Sequence, residues 1–69
     1  MKIEAIVTGV VWKIEKRVGD SVRPGDVIMI LESMKMEIPI VAPVAGTVKS
    51  QAVQEGQSVT EGEVVTVLA

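Results

Sequence analysis

Residues 19–25 have the sequence GDSVRPG and residues 56–62 have the sequence GQSVTEG, so the pattern Gly-x-Ser-Val-x-x-Gly occurs twice. The two copies are 37 residues apart, and the same offset aligns residues 5–31 with residues 42–68 without a gap. An internal repeat of this kind is a signal about the whole fold. The chain therefore consists of two similar halves that are joined by residues 32–41.

The local pattern in both halves is typical of β-strands. Short runs rich in valine and isoleucine alternate with glycine and proline, and no stretch has sustained helical periodicity. We expect tight turns at 24–26 and 61–63 and short bends at 20–21 and 57–58, because glycine tolerates the backbone conformations of sharp corners. The runs that predict strands are 3–7, 10–14, 27–31, 38–41, 47–53 and 64–68.

Neither half can bury its apolar face alone, whereas two halves that face each other can. The repeat therefore predicts an all-β fold, a flattened β-barrel or sandwich of two four-stranded antiparallel sheets related by a pseudo-twofold axis. Closing the sheets on each other also limits exposed strand edges. A chain of 69 residues is expected to form one domain, 1–69.

The composition excludes several classes of function. The chain has no histidine and no cysteine, which excludes Ser-His and Cys-His nucleophile pairs and a zinc-held fold. No phosphate loop of the GxxxxGK(S/T) type is present, and no apolar run approaches the length of a membrane span. The net charge is −2 and Trp12 is the one aromatic residue, which argues against nucleic-acid binding. We expect a cytoplasmic protein that is not an enzyme and has no nucleic-acid, membrane or metal partner.

The join between the two halves contains the least typical segment of the chain. Residues 32–37 have the sequence ESMKME, and a two-residue turn centred on Met34 and Lys35 would place Glu32 opposite Glu37. Turns of this kind favour Asn-Gly or Asp-Gly because their central residues need φ > 0. Two like charges in a facing pair also destabilise a hairpin by a few tenths of a kcal/mol or more. Several local rules broken together at a protruding tip indicate a functional site.

From the residues alone, a lysine at a hairpin tip is also explained as a solvated charge without a function. The central position of Lys35 between the two halves, the unfavourable turn residues, and the flanking Met34 and Met36 favour a functional side chain instead.

The segment around Lys35 resembles the biotinyl domain of biotin-dependent carboxylases. The resemblance rests on Met34-Lys35-Met36, on the sequence IPIVAPVAG at 38–46, and on the Gly-x-x-Val-x-x-Gly turns of both halves, and it covers essentially the whole chain. Members of this family adopt the barrel-sandwich hybrid fold (single hybrid motif). The sister family of lipoyl domains shares the fold and the hairpin lysine, but typically flanks the lysine with an acid and a small residue.

The resemblance implies that the chain is a biotin carboxyl carrier, with biotin attached covalently to Lys35. It implies that Met34 and Met36 are recognised by the ligase and by partner enzymes. An unperturbed lysine is almost entirely protonated at pH 7, so a biotin protein ligase is expected to supply activated biotin. The other implied partners are biotin carboxylase and carboxyltransferase, with the final carboxyl acceptor unspecified.

Two alternatives stay open at this point. The first alternative to a biotin carrier is a lipoyl carrier of a 2-oxoacid dehydrogenase-type system, with lipoate on Lys35. The second is an unmodified structural module of the same fold. The methionines favour biotin over lipoate. The chain departs from the biotinyl family in having Ser33 where many members have alanine, and in lacking both the thumb-like insertion of some acetyl-CoA carboxylase carriers and a Pro/Ala-rich linker. It is most similar to the short biotin/lipoyl attachment proteins.

Overall fold

A computed structural model describes all residues, 1–69, as eight β-strands without a helix. No helix long and apolar enough to cross a membrane is therefore present. The strands are β1 (Lys2–Glu4), β2 (Gly9–Ile14), β3 (Ser21–Val22), β4 (Val27–Ser33), β5 (Met36–Val41), β6 (Gly46–Gln51), β7 (Ser58–Val59) and β8 (Val64–Leu68).

The strands form two four-stranded antiparallel sheets. The terminal sheet, which contains the first and last strands, has the order β1-β8-β6-β3, and the hairpin sheet has the order β5-β4-β2-β7. The 37-residue offset of the repeat converts β2 into β6 and β3 into β7. The same operation exchanges the two sheets strand for strand. The predicted architecture of two four-stranded sheets with pseudo-twofold symmetry is confirmed.

The core is a single aliphatic cluster of 15 buried residues contributed by both halves. Matched positions are buried alike: Val11 and Val48 are both fully enclosed, and so are Leu31 and Leu68. Burial of such side chains contributes about 1.5–3 kcal/mol each relative to exposure, which is the main stabilising term for a chain without disulfides. Thr66 is the one buried polar residue.

The turns follow the repeat as closely as the strands do. The four glycines at the matched corners have φ between +88° and +94°, a region that residues with a Cβ atom rarely adopt. The predicted turns at 24–26 and 61–63 are confirmed. The Gly25 N–H donates to the Ala42 carbonyl oxygen at 2.8 Å, and the Gly62 N–H donates to the Ala5 carbonyl oxygen at 2.9 Å, so each turn is bonded to the opposite half.

Two local predictions were wrong. Bends were expected at 20–21 and 57–58, but Ser21 and Ser58 begin the two-residue strands β3 and β7. These strands pair with β6 and β2, respectively. Two residues are too few to show a periodic pattern, so these strands depend on their distant partners. Two predicted strands are also too long: the strand at 3–7 ends at Glu4, where its register with β8 shifts, and the strand at 47–53 ends at Gln51.

Candidate functional site

β4 and β5 form the hairpin that carries Lys35. The turn between them consists of Met34 and Lys35 alone, as the sequence predicted. Both strands are continuous up to the turn, so the tip is held by regular cross-strand pairing on both sides. The pairs that flank the turn, from the tip downward, are Ser33–Met36, Glu32–Glu37 and Leu31–Ile38.

The backbone of the turn lies in the left-handed region at both central positions. Met34 has φ of 53° and Lys35 has φ of 65°, and these are the two non-glycine residues of the chain with positive φ. This is the twist that a two-residue hairpin turn needs. The left-handed conformation costs roughly 1–2 kcal/mol for a residue with a Cβ atom. Since Asn-Gly would form this turn more easily, folding does not explain the residues found there.

The side chains of the tip are open to solvent. Met34 is 88% exposed and Met36 is 58% exposed, and Lys35 is exposed between them. Two surface depressions, of about 320 and 400 Å³, lie elsewhere, and neither is lined by a residue of the turn. The Lys35 amine is thus presented on a protrusion. A primary amine in this setting fits covalent attachment of a bulky acid through an amide, and no pocket at the tip would hold a free ligand.

The base of the hairpin is fixed to the loop that precedes β2. The Ser33 hydroxyl donates a hydrogen bond to the Thr8 carbonyl oxygen at 2.8 Å, and the Thr8 hydroxyl accepts one from the Glu61 N–H at 3.0 Å. Beside them, a Cβ atom on Gly9 would overlap the Glu32 carbonyl oxygen. The hairpin is therefore connected to both halves of the molecule just below its tip.

Thr8 and Gly9 did not emerge as site residues from the sequence. The repeat matches Gly9 with Gly46, which marks it as a position with a structural role. Its contact with Glu32 depends on the pairing of β2 with β4, across a large separation in the chain.

Charge at the tip is unbalanced. Glu32 and Glu37 are directly opposite each other, as predicted, and both are exposed. The ion pair of the chain, Lys13 with Glu15 at 3.4 Å, involves neither of them. Lys35 supplies the one positive charge of the turn, so conversion of its amine into an amide would leave two carboxylates there. No group of three or more acidic, histidine or cysteine side chains is arranged to hold a metal ion.

Comparison with known proteins gives a consistent result. Residues 1–68 match the family model described as "Biotin-requiring enzyme". The "Biotin/lipoyl attachment protein" of Bacillus subtilis is 44% identical over 69 residues, which cover 100% of this chain and 94% of that protein. The "Biotin carboxyl carrier protein" of Streptococcus mutans is 46% identical over 59 residues, or 86% of this chain and 45% of that protein.

A solved structure with the same fold is that of the Kluyveromyces lactis urea carboxylase. The match has a TM-score of 0.94 and 33% sequence identity, and covers 100% of this chain but 6% of the carboxylase. The similarity is therefore to one small part of a much larger enzyme.

Proposed function

This chain belongs to the biotin-requiring enzyme family and is a biotinyl domain of the biotin-dependent carboxylase type, and from that premise we propose that it acts as a biotin carboxyl carrier. In this proposal Lys35 is the attachment residue and the chain itself performs no catalysis. The observation that carries the proposal is the exposed Lys35 on a two-residue turn between Met34 and Met36, in a backbone conformation that folding alone does not favour.

The chain contributes to its own modification by presenting the amine. The Lys35 ammonium first loses one proton to become a nucleophile. Nζ then forms an amide with an activated carboxyl group that biotin protein ligase delivers, loses a second proton and displaces the activating group. A narrow tip of two residues can enter an enclosed ligase site, and the paired strands behind it keep the amine in a defined position. A preformed tip reduces the ordering cost of this encounter.

Biotin attached to Lys35 would hold the carboxyl group that passes from biotin carboxylase to a carboxyltransferase. The polypeptide brings its tip to one enzyme after another. Methionine side chains are flexible and polarisable, and they suit a surface that must fit several partners. Met34 and Met36 are therefore proposed as the contacts that the ligase and both enzymes share.

The test is the intact mass of the protein after co-expression with a biotin protein ligase and excess biotin. We expect a gain of about 226 Da, which corresponds to one biotinyl amide, and no gain in the matched Lys35→Arg variant. A gain that persists in Lys35→Arg would contradict the attachment site.

The same measurement distinguishes the two alternatives. A gain of about 188 Da with lipoate and its ligase, and none with biotin, would identify a lipoyl carrier. No gain under either condition would identify an unmodified module.

The role of the methionines needs a separate experiment. Met36→Leu conserves volume on an exposed side chain, so we expect unchanged thermal stability. The rate of biotin transfer from the ligase, or of turnover with the carboxylase enzymes, should fall. A variant that loses stability but keeps full transfer rates would remove Met36 from the proposed recognition set.

A further inference from the structure

The repeat provides an internal control for most surface positions of the hairpin sheet. Their counterparts lie 37 residues away in the terminal sheet, on the same kind of strand, whereas Glu37 has no counterpart and Glu32 corresponds to Ala69, which lies outside β8. The two outer faces are nevertheless different in chemistry. The hairpin face contains the apolar residues Val10, Trp12, Ile30 and Pro39 together with the charged residues Lys13, Glu32 and Glu37. At the positions of the four apolar residues the terminal sheet has Thr47, Lys49, Val67 and Lys2, and at the position of Lys13 it has Ser50.

The hairpin face is a continuous strip across three strands. Val10 pairs with Glu32, which pairs in turn with Glu37. In the next row Ile30 lies between Lys13 of β2 and Pro39 of β5, and Trp12 occupies the irregularity in β2 between Val11 and Lys13. Lys13 forms an ion pair with Glu15. Val10 is 39% exposed and Trp12 is 49% exposed.

Folding does not account for this apolar strip. β2 and β6 have matching burial patterns along their first five residues, so their exposed positions meet the same structural demands. At these positions β2 has valine, tryptophan and lysine, whereas β6 has threonine, lysine and serine. Exposed apolar clusters mark interaction surfaces, and tryptophan is enriched among the residues that contribute most to binding.

The strip continues into the hairpin tip. Ile30 and Lys35 are five residues apart along β4 and its turn, which corresponds to about 16 Å at about 3.3 Å per residue. An interface of ordinary size, about 800 Å² on each partner, spans this distance. A protein that receives Lys35 in its active site is therefore able to cover Trp12 at the same time.

The charges indicate which partner fits. Glu32 and Glu37 lie in the same row as Val10, nearer to the tip than Ile30 and Pro39, and have no ion-pair partner. Attachment of biotin removes the positive charge of Lys35, so the modified tip is more acidic than the unmodified one. A basic partner surface therefore favours the modified carrier. Because biotin carboxylase binds bicarbonate and the phosphates of ATP, which are anions, we expect positive charge around its active site, and such charge attracts an acidic carrier.

We propose that the hairpin face, with Trp12 at its centre and Glu32 and Glu37 at its tip side, is the docking surface for the biotin carboxylase that acts on the biotinylated carrier. This inference rests on the proposed function. The ligase and the carboxyltransferase are the competing occupants.

The repeat also supplies the variants for the test. Trp12→Lys and Val10→Thr introduce the residues that the other half already has at the same backbone positions, so the fold is expected to tolerate them. Lys49→Ala on the terminal sheet is the matched control. Each protein is biotinylated and verified by intact mass, its melting temperature is measured, and carrier-dependent ATP hydrolysis by the purified biotin carboxylase is then followed.

We expect Trp12→Lys to raise the KM for the carrier about tenfold or more, and Val10→Thr to raise it less. Lys49→Ala should leave the KM within about twofold. Ligase rates and melting temperatures should be unchanged in all three. The KM of the parent protein should rise with ionic strength, and the double change Glu32→Gln and Glu37→Gln should reduce that dependence.

The possible failures are distinct. If the parent protein takes no biotin, the proposed function is wrong and this inference falls with it. If biotin is attached normally but the KM of Trp12→Lys and Val10→Thr is unchanged, the docking surface alone is wrong. If these variants slow only the ligase, or only the carboxyltransferase reaction, the face belongs to that enzyme and the assignment to biotin carboxylase is overturned.

Discussion

Gly9 lies so close to Glu32 that a Cβ atom at position 9 would overlap the Glu32 carbonyl oxygen. Its counterpart Gly46 is less restricted, because a Cβ atom there would lie 2.9 Å from the Ala69 carbonyl oxygen. Glu32 is paired on both sides, with Val10 and Glu37, whereas Ala69 follows the end of β8. The strand that leads to Lys35 therefore depends on a contact that only glycine permits.

Replacement of Gly9 by alanine should distort the base of the hairpin. We expect Gly9→Ala to lower the free energy of unfolding by about 1–3 kcal/mol, because the backbone must shift to admit the methyl group. Gly46→Ala should cost less, since Ala69 can move more easily. Urea denaturation of both variants is the measurement. An equal or larger loss of unfolding free energy in Gly46→Ala would show that the contact of Gly9 with Glu32 restricts the backbone no more than the contact of Gly46 with Ala69.

The hydrogen bond from Ser33 to Thr8 gives a second prediction. Ser33→Ala removes this 2.8 Å bond at an exposed site, so we expect a loss of about 0.5–1 kcal/mol. Hydrogen exchange of the Met36 amide, which follows the turn, should become faster. Ser58→Ala, an exposed serine on β7, is the control. Unchanged exchange at Met36 would mean that the bond does not hold the hairpin.

The turn residues predict a conflict between stability and function. Asparagine tolerates the left-handed conformation better than methionine, so Met34→Asn should raise the free energy of unfolding by up to about 1 kcal/mol. If Met34 contacts the ligase as proposed, the same variant should accept biotin more slowly. Thermal denaturation and a timed mass assay measure the two effects. A more stable protein with an undiminished rate would assign Met34 no role in transfer.

The facing glutamates predict a salt-dependent effect. Glu37→Gln removes the repulsion with Glu32 and should stabilise the protein by a few tenths of a kcal/mol at low ionic strength. The gain should disappear in 1 M salt, where exposed charges are screened within about 3 Å. Denaturation curves at both salt concentrations test this. A gain that is independent of salt would point to a cause other than charge.

Thr66 is fully buried and its hydroxyl oxygen has no hydrogen-bond partner. The matched position in the first half is the apolar Met29. Thr66→Val keeps the shape of the side chain and removes the unsatisfied group, so we expect a gain in stability of about 1 kcal/mol or more. Thr47→Val, at an exposed site on β6, should change stability little. A destabilised Thr66→Val protein would show that the hydroxyl has a partner in solution.

The arrangement of the chain into two halves was determined by the sequence itself. The repeated Gly-x-Ser-Val-x-x-Gly pattern specifies the corners, and the valine-rich runs between them specify most strands, because turn conformation and strand preference are local properties. The hairpin register around Lys35 follows from the same local rules, since a two-residue turn leaves one way to pair Glu32 with Glu37.

Tertiary structure alone decided which distant residues meet. β3 and β7 exist because Ser21 faces Thr47 and Ser58 faces Val10, and segments of two residues have no pattern of their own. Trp12 was visible in the sequence as the one aromatic residue, but only the pairing of β2, β4 and β5 places it on one face with the tip that carries Lys35. Such juxtapositions depend on hydrogen bonds and packing between segments far apart in the chain, which the order of residues within each segment does not encode.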